Sequence, residues 1–239
     1  MSPADVTGAV PPAAVLFDFS GTLFRFEASD DWFAGLHDEH GQPLHVARQA
    51  ELIRRMTQPV GLPATISDAD RTAWEQRDLD PALHRRAYLG MLRESGLTAP
   101  GHAESLYERV LDPASWRAFA DTAEILRGLR AADVPVAVVS NIAFDLRKVL
   151  ALHDLDGLVD SYALSYEVGA IKPDPRIFQA ALDDLDVPAA DALMVGDSEE
   201  ADGGARDIGA AFERVDDMPI TDRPDALLRA VRAHGLLTA

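Results

Sequence analysis

The sequence predicts an α/β fold, a doubly wound parallel sheet with an inserted helical segment. Three observations point there. Continuous apolar runs, each closed by Gly or a polar residue, occur at residues 13–19, 134–139 and 192–195. Helical patterns alternate with strand patterns through the second half of the chain. Between residues 27 and 109 the apolar residues recur at helical intervals with no β-branched run. Continuous apolar runs mark strands buried on both faces, as in parallel sheets. Alternation of strands with helices implies right-handed crossovers.

Residues 1–12 are small, Pro-containing and aperiodic, and read as a loose tail. The run 13–19 is a strand that ends at Ser20-Gly21. In the insert, Leu44, Ala47, Ala50, Leu52, Ile53 and Met56 form one helical pattern, and Leu83, Ala87, Leu89, Met91 and Leu92 another. Breaks at Gly41, Pro43, Pro59, Gly61 and Pro63 divide it into several short helices. Asp80-Pro81 is an N-cap followed by proline at the first helical position. Residues 27–31 are expected to form the moving junction between the insert and the rest.

Downstream, 121–129 is helical and 134–139 is a strand ending at Ser140-Asn141. A helix at 145–152, a short strand at 161–164 and a helix at 175–185 follow. The strand 192–195 ends at Gly196-Asp197, 201–208 is helical, 210–215 is the last strand, and 225–233 closes as a helix. The expected division is a core of 13–26 and 110–239 around the insert 27–109.

Composition narrows the function. The chain has 239 residues, 47 % hydrophobic and 26 % charged, which excludes a mostly disordered protein. With no cysteine, thiolate metal sites and cysteine nucleophiles are excluded. The net charge of −18 disfavours nucleic acid or an anionic membrane as partner. A small phosphate ligand is still compatible, because screening acts over roughly 8 Å and a local cation outweighs distant charge. No apolar run approaches the roughly 20 residues of a membrane span, and the N-terminus lacks a basic then apolar leader. The expectation is a cytoplasmic protein, a monomer or homodimer, acting on a small molecule.

Three strands end in a polar group, at Asp18, Ser140 and Asp197. The carboxyl ends of strands line the ligand crevice of open α/β sheets. Taken singly, each is equally a turn or N-cap residue. Two carboxylates brought into one crevice repel, and a hard divalent cation removes the problem; Mg²⁺ takes one or two carboxylates, waters and a substrate phosphate. Lys172, one of only two lysines beside twenty arginines, supplies a positive point charge.

In this setting the chain resembles the haloacid dehalogenase-like hydrolase superfamily. Asp18-Phe19-Ser20-Gly21-Thr22 is similar to its first motif, Val138-Val139-Ser140-Asn141 to its second, Lys172-Pro173 to its third, and Gly196-Asp197-Ser198-Glu199-Glu200-Ala201-Asp202 to its fourth. Motif separations of 122, 32 and 25 residues fit, and the long first gap resembles the branch with a helical cap between motifs one and two. The resemblance covers nearly all of residues 13–216. It implies a Rossmann-like core with 27–109 as cap, and a Mg²⁺-dependent hydrolase of phosphoric monoesters. By the same resemblance Asp18 is the nucleophile and forms an aspartyl-phosphate. Asp18, the Ser20 carbonyl and Asp197 hold Mg²⁺. Ser140, the Asn141 backbone N–H and Lys172 bind the phosphoryl oxygens. Thr22 braces the first loop beside the substrate, Asp202 orients Lys172 or a metal-bound water, and Gly21 and Gly196 support the loops.

One position departs from the pattern. Phosphatases of this family carry a second Asp two residues after the nucleophile, as acid and base. Here it is Ser20, a poor proton donor near neutral pH. Losing a general acid costs ~10²–10⁴-fold. The departure favours aryl or acyl phosphates, or a proton donor elsewhere in the cap. Two alternatives follow: a weakened relative that binds a phosphorylated ligand without turnover, and a 2-haloacid dehalogenase-type hydrolase. Dehalogenases of the family need no metal and lack the Gly-Asp of motif four, which Gly196-Asp197 retains. A Schiff-base mechanism is excluded because 27–109 contains no lysine.

In the cap, an arginine among Arg48, Arg54, Arg55, Arg77, Arg85 and Arg86 would suit a substrate carboxylate or second phosphate. Trp32 and Trp74 are read as core anchors, and the paired arginines as a solvated face. His37, His40 and His45 do not share a helix face and are read as incidental. Arg25 is a candidate substrate contact, with pairing to Glu27 as the alternative. The acidic stretches 183–186 and 213–217 are read as solubilising surface.

Overall fold

A computed structural model of the chain describes residues 10–27, 30–38, 40–57, 68–97 and 99–238. Most of the expected tail, part of the 27–31 junction, and Pro59, Gly61 and Pro63 lie outside the described residues. Chain order begins with β1 (Ala14–Phe17) and β2 (Phe24–Phe26). Four helices follow, α1 (Val46–Thr57), α2 (Asp68–Glu75), α3 (Pro81–Glu94) and α4 (His102–Leu111), and then β3 (Trp116–Ala118). From there the chain alternates through α5 (Thr122–Ala131), β4 (Val136–Ser140), α6 (Arg147–Leu152), β5 (Ser161–Leu164), α7 (Ser165–Val168), α8 (Pro175–Leu185), β6 (Ala192–Gly196), β7 (Ala211–Arg214) and α9 (Ala226–Ala233).

Five strands form one parallel sheet in the order β5-β4-β1-β6-β7. The three inner strands β4, β1 and β6 are buried on both faces because their alternate side chains enter two apolar layers. Val15, Phe17, Val138 and Val195 pack with Ile125, Leu126 and Val149 on one side. Leu16, Val139 and Met194 pack with Ile177, Phe178 and Leu182 on the other. The first layer continues without a break into the insert, through Leu52, Met56, Leu89, Leu92 and Leu106. Chain direction across the sheet reverses at β1, with β4 and β5 to one side and β6 and β7 to the other. The crevice outside such a switch point is where ligands bind in open α/β sheets.

The helices start where their caps dictate. Asp80 is extended (φ −150°) and its side chain accepts from the N–H groups of Ala82 (2.6 Å) and Leu83 (3.1 Å), with Pro81 at the first helical position. Asp174 accepts from Arg176 N–H at 3.0 Å ahead of Pro175. The helical stretch expected at 201–208 is Asp202–Ile208, wound as a 3-10 helix. Gly203 and Gly204 weaken the α-form there, and the Asp202 side chain is drawn back to Ser198 N–H at 2.9 Å. Three short elements lack a sequence signal, β2, β3 and α7. β3 pairs antiparallel with β2, Phe26 opposite Trp116, so both chain passages to the insert run through one ribbon. No helix among the described residues is long and apolar enough to cross a membrane.

Candidate active site

Parallel strands bring Asp18, Ser140 and Asp197 to one edge of the sheet, from β1, β4 and β6. Asp18 follows β1, its N–H donating to Val195 O at 2.9 Å. Lys172 arrives from the loop between α7 and α8 and is 5 % exposed. Its Nζ donates to Asp18 Oδ1 (2.6 Å), Asp202 Oδ1 (2.6 Å) and Val139 O (2.9 Å). All three ammonium protons are therefore used. Burial alone would lower the Lys172 pKa; Asp18 and Asp202 more than reverse it and hold the group charged.

One ammonium does not balance the carboxylates. Oxygens of Asp18, Asp197 and Asp202 lie within 4.8 Å of one another. Burial pushes the Asp18 carboxyl up to about 6 against the pull of Lys172. Burial, then Asp18 and Asp202, push Asp197 up to about 7. Asp202 has both oxygens occupied, one by Lys172 and one by Ser198 N–H. Asp18 and Asp197 are left with acceptor capacity facing a common space, an oxygen-only donor set that suits a hard divalent ion. The residues present thus fit Mg²⁺. The close packing needs two glycines. At Gly21 (φ +86°) a Cβ would stand 2.5 Å from Asp197 Oδ2, and at Gly196 it would overlap the Asp202 carboxylate.

Ser20 is exposed and stands between two hollows. One, of about 100 Å³, is lined by Gly21, Arg25, Asp197 and Asp217. The other, of about 190 Å³, lies under the insert, with Asn141 on the sheet side and Trp74, Asp78, His84 and Tyr88 opposite. Asp18 keeps 9 % of its side chain exposed and is not sealed off.

Several expected residues sit differently. Thr22 is fully buried and lines neither hollow; its carbonyl is held by Arg223, and among the described residues its hydroxyl has no hydrogen-bond partner. The Asn141 side chain clamps the Lys172 backbone, accepting its N–H at 2.7 Å and donating to its carbonyl at 3.1 Å. Arg25 pairs with Asp217 and donates to Met218 O at 2.9 Å, while Glu27 pairs with Arg117 at 3.3 Å. The 213–217 stretch is thus partly site wall rather than plain surface, because Asp217 also helps to raise Asp197. Trp32 is core, edge-on to Phe26 at 4.6 Å, whereas Trp74 faces the larger hollow. His37, His40 and His45 share no site; His37 faces His102 and His45 accepts from Ala47 N–H.

Sequence reasoning missed Arg223. Its buried guanidinium lies 3.3 Å over Phe119 and donates to the carbonyls of Gly21 (2.6 Å), Thr22 and Asp216 (3.0 Å). It fixes the loop after Asp18 from the far end of the chain. Nothing local in the sequence signals that contact.

A strand-end acid pair thus stands beside a buried lysine at the switch point of a parallel sheet, an arrangement suited to binding a cation and a small anion. The haloacid dehalogenase-like hydrolase family matches residues 12–209, and the chain belongs to that family. Haloacid dehalogenase-like hydrolase domain-containing protein 3 of Bos taurus is 36 % identical over 119 residues, 49 % of this chain and 47 % of that one. The match therefore spans about half of that relative's length. Ribulose-1,5-bisphosphate 5-phosphatase of Halopiger xanaduensis is 29 % identical over 231 residues, 91 % of this chain and 90 % of that one. A crystal structure described as a dehalogenase is 26 % identical, covers 84 % of each chain and has a TM-score of 0.56.

Proposed function

We propose that the chain is a Mg²⁺-dependent phosphoric monoester hydrolase acting on a small phosphorylated molecule, with residues 27–109 as its cap over a core of 13–26 and 110–239. The observation that carries this reading is the excess of carboxylate over ammonium: three acidic groups within 4.8 Å around one lysine. A 2-haloacid dehalogenase mechanism has no use for that excess. A phosphate ester, which brings its own negative charge, requires a cation there.

In this reading Asp18 attacks phosphorus in line and carries the phosphoryl group as an acyl phosphate. Lys172 aligns Asp18 and, backed by Asp202, sets its positive charge against the phosphoryl oxygens, reaching them by giving up one of its present bonds when substrate binds. The Ser140 hydroxyl and the Asn141 backbone N–H cradle those oxygens, and the Asn141 side chain keeps Lys172 in register. Asp18, the Ser20 carbonyl and Asp197 are the residues that would hold Mg²⁺, which when bound supplies neutralising charge to the phosphate. Phosphoryl transfer depends chiefly on such positioning and charge compensation. Ser20 leaves room above the nucleophile and supplies no carboxyl.

The test is release of inorganic phosphate from a panel of phosphate esters, with Mg²⁺ and after chelation, in the parent and in Asp18→Asn. Metal-dependent release, abolished in Asp18→Asn, is expected. Metal-dependent ligand binding without release would favour a sensor. Metal-independent halide release from 2-haloacids would favour the dehalogenase.

A further inference from the structure

The phosphatase reading lacks a proton donor, and the larger hollow contains one candidate carboxyl. Asp78 lies in a 3-10 turn, Arg77–Leu79, between α2 and α3, and lines the same hollow as Ser20 and Asn141. The sheet side holds it in place. The Ser165 hydroxyl, which accepts Ile142 N–H at 2.8 Å, lies 2.5 Å from the Asp78 carbonyl. That contact joins the turn to the loop after β4.

The Asp78 side chain is 17 % exposed, and among the described residues no hydrogen bond is donated to its carboxylate. Its nearest cation is Arg77, at 3.6 Å. That guanidinium lies over the Trp74 ring at 4.7 Å and donates to Trp74 O at 2.7 Å. Asp202 has both oxygens occupied, by Lys172 and Ser198 N–H, and Asp121 accepts at Oδ2 from Leu227 and Leu228 N–H but lines neither hollow. Burial raises the Asp78 pKa, with Arg77 opposing, which favours a proton-bearing carboxyl.

The other titratable groups of the hollow are committed. His84 Nδ1 is 2.9 Å from the Tyr107 hydroxyl, and burial lowers its pKa to about 4, so it carries no transferable charge-state proton at neutral pH. The Tyr88 hydroxyl donates to Met56 O at 3.1 Å. Arg55 pairs with Glu51 and Ser95.

Resting on the phosphatase reading, we propose that Asp78 is the general acid and base of the reaction, doing from the insert what Ser20 does not do from the first loop. As the Asp18 oxygen–phosphorus bond forms and the ester oxygen–phosphorus bond breaks, the leaving alkoxide takes the Asp78 proton and departs as the alcohol. Water then attacks phosphorus, its proton passes to the Asp78 carboxylate, and the Asp18–phosphorus bond breaks to release phosphate. Both residues end as they began.

The experiment compares kcat/KM for p-nitrophenyl phosphate, whose leaving group needs no proton, with that for alkyl phosphates. Asp78→Asn is expected to lose about 10²–10⁴-fold on alkyl phosphates and less than about tenfold on p-nitrophenyl phosphate. Adding Ser20→Asp to that variant is expected to restore alkyl turnover. A merely structural role would lower both substrates together, and that result, or unchanged alkyl turnover, overturns the proposal. If Asp78→Asn does not fold, the parent decides alone: alkyl phosphates about 10³-fold or more slower than aryl ones mean that no acid acts. A parent that hydrolyses no ester with Mg²⁺ overturns the phosphatase reading itself, and this proposal with it.

Discussion

Lys172 and Asp202 face each other at 2.6 Å with side chains 3 % and 1 % exposed, and Asp18 takes the next ammonium proton at the same distance. A charge so enclosed is stable only while its partners remain. Breaking a buried pair costs about 3–5 kcal/mol, because the surviving charge stays desolvated. Lys172→Met is therefore expected to lose stability on that scale in urea denaturation at pH 7.5 without metal. Added Mg²⁺ should recover part of the loss, since it replaces the missing positive charge among the three carboxylates.

Arg223 spans from the C-terminal region to the loop that follows Asp18. Replacing it by Met orphans the buried carbonyls of Gly21 and Thr22, each worth roughly 1–3 kcal/mol. The expected result is a lower melting temperature by circular dichroism together with slower phosphate release. Arg223→Lys should not rescue either, because an ammonium cannot reproduce the planar fork that serves both carbonyls.

The Asp202 carboxylate packs directly against Gly196 of β6. Gly196→Ala would push a methyl group into the Asp202 carboxylate and is expected to cost about 1–3 kcal/mol, as overpacking does. Gly157→Ala is the control, since a Cβ there meets nothing within 4 Å; it should change stability by less than about 0.5 kcal/mol. Equal effects in paired urea titrations would refute the crowding argument.

His84 gives a pH signature. Its pKa is lowered by burial to about 4 from 6.5, so the unfolded chain binds the extra proton first as pH falls. The stability it contributes is present above pH 6.5 and is lost on acidification towards pH 4. Between pH 7.5 and 5.5 the loss is roughly 1 kcal/mol. His84→Phe should show a shallower decline over this interval when both proteins are titrated in parallel.

The parts of the fold legible in the sequence were those set by local rules. β1, β4 and β6 are buried on both faces, so their apolar runs are continuous. α8 starts at Pro175 because Asp174 caps it. Asp18 and Asp197 come together because parallel strands end on one edge, and Lys172 joins them from the loop ahead of α8. What stayed hidden depends on partners far along the chain. Arg223 meets Gly21 across 202 residues, Arg25 meets Asp217 across 192, and Ser165 meets Asp78 across 87. β3 is three residues long and exists because β2 lies beside it. No periodicity can announce a strand that short.

The ribbon of β2 and β3 has one more consequence. Phe26 sits opposite Trp116, so the polypeptide enters the insert and returns from it at adjacent points. Evolution can lengthen, shorten or replace what hangs between them without rethreading the sheet. Whatever its length, the insert is tied off by three consecutive residue pairs.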